Sequence, residues 1–196
     1  MIFVETNMGN KLYKIALAFI MGALLLSILW PYEQKLIDFE LAPTYEVLES
    51  DEIYFNNTRI VQYRTTESEA LNTQGFKVHR STKALSDTTV PFVNFAIINH
   101  WRNDRAYIVC EPSARKFFLD PVTINIGDTS IVLDLDHMDY NDHYAFAGEL
   151  FKRSLNYERP FITNGQDSTF LFGTQPNAKA NLVVLKDYFR LIGRFQ

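Results

Sequence analysis

The chain has 196 residues, 19 of them Lys or Arg and 23 Asp or Glu, for a formal net charge of −4. A mildly acidic surface gives no electrostatic footprint for nucleic acid, which is excluded as a partner class. Cys110 is the single cysteine, so no intramolecular disulfide can form and a disulfide-built scaffold is excluded; the length suits one domain with a core of its own.

The first feature in chain order is Ile15 to Tyr32, IALAFIMGALLLSILWPY, an uncharged run. A hydrocarbon core about 30 Å thick asks for roughly 20 apolar residues, with about 17 as the lower limit. The pattern predicts a transmembrane helix over residues 15–32, with Lys14 able to reach the headgroups and Trp30 and Tyr32 at the far interface. A cleaved signal peptide fits less well, because Ser27 to Pro31 offers no small-residue cleavage motif, and a helix apolar on all faces suits a large core better than this one. The segment therefore reads as a signal anchor.

Lys11 and Lys14 precede the run, whereas Lys35 follows it among Glu33, Asp38 and Glu40. That bias places residues 1–14 in the cytoplasm as an N-terminal tail and the rest in the periplasm or outside the cell. Residues 33–50 become a juxtamembrane segment and 51–196 an extracytoplasmic β-rich domain. The expected partners are the lipid bilayer, through residues 15–32, and other membrane or envelope proteins.

Glu52 to Asn56 and Arg59 to Thr65 are short aromatic and β-branched runs around Asn57-Thr58, read as a hairpin. Gly75 to Arg80 alternates Phe76 and Val78 with Lys77 and His79, the pattern of a strand with one wet face. Pro91 to Asn99 and Ala106 to Cys110 are apolar at nearly every position and read as core strands, joined by the polar stretch His100 to Arg105.

Val122 to Ile126 and Thr129 to Leu133 flank Gly127-Asp128, a two-residue loop of the type II′ kind. It pairs Ile126 with Thr129, Ile124 with Ile131 and Val122 with Leu133. A one-residue slip would split the apolar set between faces, so turn and pattern support the same register.

Residues 144 to 155 switch to helical spacing, with Ala147, Leu150, Phe151 and Leu155 on one side and Asn141 and Asp142 available as caps. Phe161 to Asn164 and Thr169 to Phe172 follow as strands, then Thr174 to Ala180 as a polar loop. From Asn181 to Arg194 both periods fit; Val183, Leu185, Phe189 and Leu191 alternate, and an extended final strand is expected. The fold class is mainly β: a transmembrane helix, then one antiparallel β-sandwich-like domain with about one α-helix.

Asp134, Asp136, His137, Asp139, Asn141, Asp142 and His143 form the densest polar cluster. Asp134, Asp136, His137, Asp139 and His143 are candidate metal ligands by residue type, yet an EF-hand loop started at Asp134 would put Met138 at a ligand position and Asp139 at the glycine, and an acidic turn leading into a helix accounts for the same residues. His100, Asp104 and Cys110 could be assembled into a nucleophilic set, although Cys110 lies within an apolar strand where most cysteines are inert. No phosphate-binding glycine loop, H-E-x-x-H, G-x-S-x-G or paired-cysteine motif occurs. No catalytic residue and no cofactor is assigned.

Trp101, Arg102, Arg105 and Tyr107 are the candidate partner-binding residues, because Trp, Arg and Tyr dominate interface energetics and here occupy a connection between core strands. The function expected is a single-pass, membrane-anchored extracytoplasmic protein-interaction or structural module in an envelope assembly. The alternatives are an exported enzyme, such as a metal-dependent hydrolase, using the Asp134 to His143 cluster or His100, and a carbohydrate- or peptide-binding module.

Overall fold

A computed structural model describes residues 5–29, 42–86, 89–164 and 167–194. The chain divides into two compact units, Met1–Lys35 and Leu36–Gln196.

In the first unit, α1 runs over Glu5–Leu29. Among the described residues no helix is long and apolar enough to cross a membrane, which overturns the expected transmembrane span, the anchor and the single-pass location with its cytoplasmic N-terminus. Length gives the physical reason. Within the described residues the charge-free part of α1 runs from Ile15 to Leu29 and rises about 22 Å at about 1.5 Å per residue, short of the roughly 30 Å required. Trp30 to Tyr32, which the expectation needed, and the flanking Glu33, Lys35, Asp38 and Glu40 lie outside the described residues.

The second unit is mixed α/β rather than mainly β with one helix. It holds two antiparallel sheets of four strands each. In the first sheet, β1 (Tyr63–Thr66), β2 (Phe76–Ser81), β3 (Val93–His100) and β4 (Arg105–Pro112) lie in chain order. The second sheet has the order β6 (Thr129–Leu133), β5 (Val122–Ile126), β7 (Pro160–Asn164), β8 (Asp167–Phe170). The β5–β6 register pairs Ile126 with Thr129, Ile124 with Ile131 and Val122 with Leu133, as turn and pattern require. Leu171 ties the sheets together: its N–H donates to the Pro160 carbonyl and its own carbonyl accepts from the Val93 N–H.

Two short helices, α2 (Glu49–Tyr54) and α3 (Glu69–Gln74), precede the long α4 (Tyr140–Leu155) and α5 (Gln175–Leu191). The expected hairpin at 52–65 is not formed: α2 passes into a π-helical turn at Phe55–Arg59 and a 3-10 turn at Ile60–Gln62, and only β1 is extended. Burial explains this, because the helical path turns Phe55, 2% exposed, into the core against Tyr63 and His79.

The expected strand at 181–194 and the loop before it are together α5. Thr174 caps its first turn by accepting from the Asn177 N–H, and Pro176 sits where a missing N–H costs nothing. Asn177, Asn181, Val184, Leu185, Tyr188 and Leu191 then recur at helical spacing, all buried. α5 packs across β3 and β4 and reaches β2, while α4 packs beside β4. That cover also removes the wet face expected for β2, since His79 is 3% exposed.

Candidate functional site

The β3–β4 turn presents Trp101 45% exposed. His100 and Arg105 close the hairpin, Asn103 N–H donates to the His100 carbonyl, and Asp104 takes a φ of 48°. The Trp101 N–H donates to the carbonyl of Gly75, the left-handed residue (φ 85°) that ends α3. A β-carbon at Gly75 would fall 2.9 Å from Cγ and Cδ of Arg102, so glycine is needed both for the backbone and for the close approach of that arginine. Arg102 lays its guanidinium over the Trp101 ring, 5.1 Å from the centroid.

Arg105 is exposed at the start of β4, and its backbone bridges to Glu46. Tyr107 does not join the exposed pair. It is half-buried between Tyr45 and Tyr140, at ring separations of 5.0 and 4.6 Å. Tyr45, whose hydroxyl donates to Asn141 Oδ1, is pushed up to about 12 by burial and then by the charge of Asp139.

The five candidate metal ligands are not brought into one set. Asp139 caps α4, accepting from the backbone N–H groups of Asn141 and Asp142, while Asp142 Oδ2 accepts from the Asp139 N–H in return. The Asp142 N–H, reinforced by that of Asn141, holds Asp139 below the ordinary carboxylate range. His143 Nδ1 accepts the Cys110 N–H at 3.3 Å, and burial lowers the pKa of this imidazole, consistent with a neutral ring. His137 pairs with Asp134 at 2.9 Å, the hydrogen bond raising its pKa, and Asp136 is exposed in the same turn. Among the described residues no group of three or more His, Cys, Asp or Glu could hold a metal ion.

Cys110 is buried in β4, and burial raises its thiol well above the ordinary value. It pairs with Phe95, whereas His100 pairs with Arg105 at the opposite end of the same ladder. Five positions of strand separate them, about 17 Å, so Cys110, His100 and Asp104 form no nucleophilic set.

Two polar networks that sequence reasoning missed lie on α5. Asp187, 7% exposed, accepts from Arg59 Nε at 2.9 and 3.0 Å and from the Tyr63 hydroxyl at 2.7 Å. Burial lifts the Asp187 carboxyl, with Tyr63 and Arg59 pulling the other way, and burial also raises the Tyr63 hydroxyl. In the second network, Asn177 and Asn181 both donate to Asn94 Oδ1, Asn181 Oδ1 accepts from the Phe95 N–H, and Asn177 Oδ1 accepts from the Leu85 N–H. These side chains satisfy backbone groups that the sheet leaves unpaired, a structural task. Their signal in the sequence is the four-residue spacing of Asn177 and Asn181 ahead of Val184 and Leu185.

No family model matches the chain, and neither a curated protein nor a solved structure matches it.

Proposed function

We propose that the second unit is a protein-interaction module that docks a partner through the β3–β4 turn, with Trp101 and Arg102 as its anchors. One observation carries the reading: an exposed Trp and an Arg stacked on it are held by a turn fixed on Gly75. Large, pre-ordered side chains of these two types contribute most to interface affinity, because little conformational freedom remains to be lost on binding. Arg105, exposed beside them, adds a second cation, so the complementary surface is acidic around an apolar recess. Elsewhere the polar side chains with candidate chemistry cap helices, pair with neighbours or satisfy backbone, as Asp139, His143 and Asp187 do.

The test is crosslinking in the native cell, followed by capture with wild type and with Trp101→Ala/Arg102→Ala. An anchor pair of this kind is worth at least about 2 kcal/mol, so affinity for the identified partner drops by roughly 30-fold. A folded double variant that captures the partner as wild type does would end this reading.

A further inference from the structure

Among the described residues the second sheet ends at β6, which pairs with β5 on one side only. In a hairpin with a two-residue loop, the residues flanking the loop exchange both backbone hydrogen bonds and every second pair does the same. Thr129, Ile131 and Leu133 therefore turn their N–H and C=O groups toward β5. Ser130 and Val132 turn theirs outward, along the sheet edge, and the Val132 side chain is 70% exposed.

A cleft of about 470 Å³ runs beside this edge, between β6 and α4. Consecutive residues Ile131 to Asp134 line it, so it follows the edge of the strand rather than one pleat face. Its other wall is the stripe of α4 that carries Asp142, Phe146 and Glu149. These are four and three residues apart and share one helix face, giving an order of acid, aromatic, acid over about 10.5 Å. Asp142 uses Oδ2 for its cap and Glu149 uses Oε1 for Arg153, leaving an oxygen on each for a ligand.

We propose that the β6 edge binds an extended segment of a partner protein, which adds to the sheet as a strand and hydrogen-bonds to the N–H and C=O groups of Ser130 and Val132. Alternate residues of such a strand point into the cleft about 6.6 Å apart, so positions i, i+2 and i+4 span about 13 Å against about 10.5 Å along the stripe on α4, a difference that long, flexible Lys or Arg side chains at the two ends take up. The segment carries Lys or Arg, then an apolar residue, then Lys or Arg at those positions, with Phe146 beneath the apolar one. A second copy of this chain is a poor occupant, because it would bring its own Asp142 and Glu149 to a wall of the same sign. The surface is separate from the Trp101 turn and does not depend on it.

The experiment uses the full chain and a fluorescein-labelled peptide alternating threonine with, in order, lysine, valine and lysine. The peptide binds, glutamate in place of both lysines weakens it by roughly tenfold, and N-methylation of its alternate amides abolishes binding. In amide exchange, the bound peptide slows Ser130 and Val132 and leaves Thr129 and Ile131 as they were. Val132→Pro, which deletes an outward N–H at a position where an edge strand tolerates proline, loses binding, whereas Trp101→Ala/Arg102→Ala keeps it. If Val132→Pro does not fold, the N-methylated peptide decides alone. Absence of binding, equal binding of the lysine and glutamate peptides, or concentration-dependent protection of Ser130 and Val132 without peptide overturns the proposal, the last by assigning the edge to a second copy.

Discussion

Replacing Asp187 by alanine tests whether α5 is held to the π-helical turn at Phe55–Arg59 by charge as well as by packing. The carboxylate accepts the single Arg59 Nε–H, shared between its two oxygens, and the Tyr63 hydroxyl. Deleting it leaves a guanidinium and a phenol without their partner in a region where Asp187 itself has 6% of its side chain exposed. Breaking a buried pair from one side costs about 3 to 5 kcal/mol. The Arg59 side chain keeps 20% exposure, so water recovers part of that loss and the low end, about 3 kcal/mol, applies. For a unit of this size that lowers Tm by about 6 to 12 °C, measured by calorimetry alongside urea unfolding. Removing all three partners together, with Arg59→Met, Tyr63→Phe and Asp187→Leu, leaves no orphaned charge and costs no more than about 1 kcal/mol. If Asp187→Ala costs under about 1 kcal/mol, or the triple variant is as unstable as the single one, the network does not hold α5 in the manner described.

His79 makes stability depend on pH. Burial lowers its pKa to about 4 from an ordinary 6.5, so on acidification the unfolded chain takes up the proton first, and stability falls as pH drops from 6.5 toward 4, by about 3 kcal/mol in all. Urea titrations across that range detect this, and His79→Phe removes most of the slope, with His143 contributing a remainder of the same sign. At the β5–β6 loop, Gly127 has a φ of 54°, and an added β-carbon would lie 2.5 Å from Glu158 Oε2. Gly127→Ala therefore costs about 1 to 2 kcal/mol by the same measurement.

The β5–β6 hairpin was legible because two independent constraints, a glycine-first loop and a period of two, agree on one register. The core strands β3 and β4 were legible for the same kind of reason, being short, apolar and bounded by polar turns. α5 was not. Its leading asparagines look like loop residues until Asn94, Leu85 and Phe95 are known to receive them, and that information lies more than 80 residues away. The 52–62 stretch misled because aromatic and β-branched residues favour strands only where a neighbouring strand exists, and here Phe55 gains more by entering the core from a helix. Of the candidate sites, the Trp101 turn could be located from sequence, but the exclusion of Tyr107 from it depends on Tyr45 and Tyr140. The acidic cluster could not be resolved, since helix caps and metal ligands draw on the same residue types. The β6 edge needed the order of strands in space, which no pattern along the chain contains.

Because α5 supplies Val184, Leu185, Tyr188 and Phe189 to a core whose strands begin at residue 63, the first sheet leaves the ribosome long before its cover does. During synthesis Phe95, Ile97 and Ile108 meet Phe146 and the rest of α4 first, and their cover stays incomplete until α5 arrives. A nascent chain that stops before Gln175 thus carries a core short of Val184, Leu185, Tyr188 and Phe189, and the cooperative collapse waits for one helix to arrive.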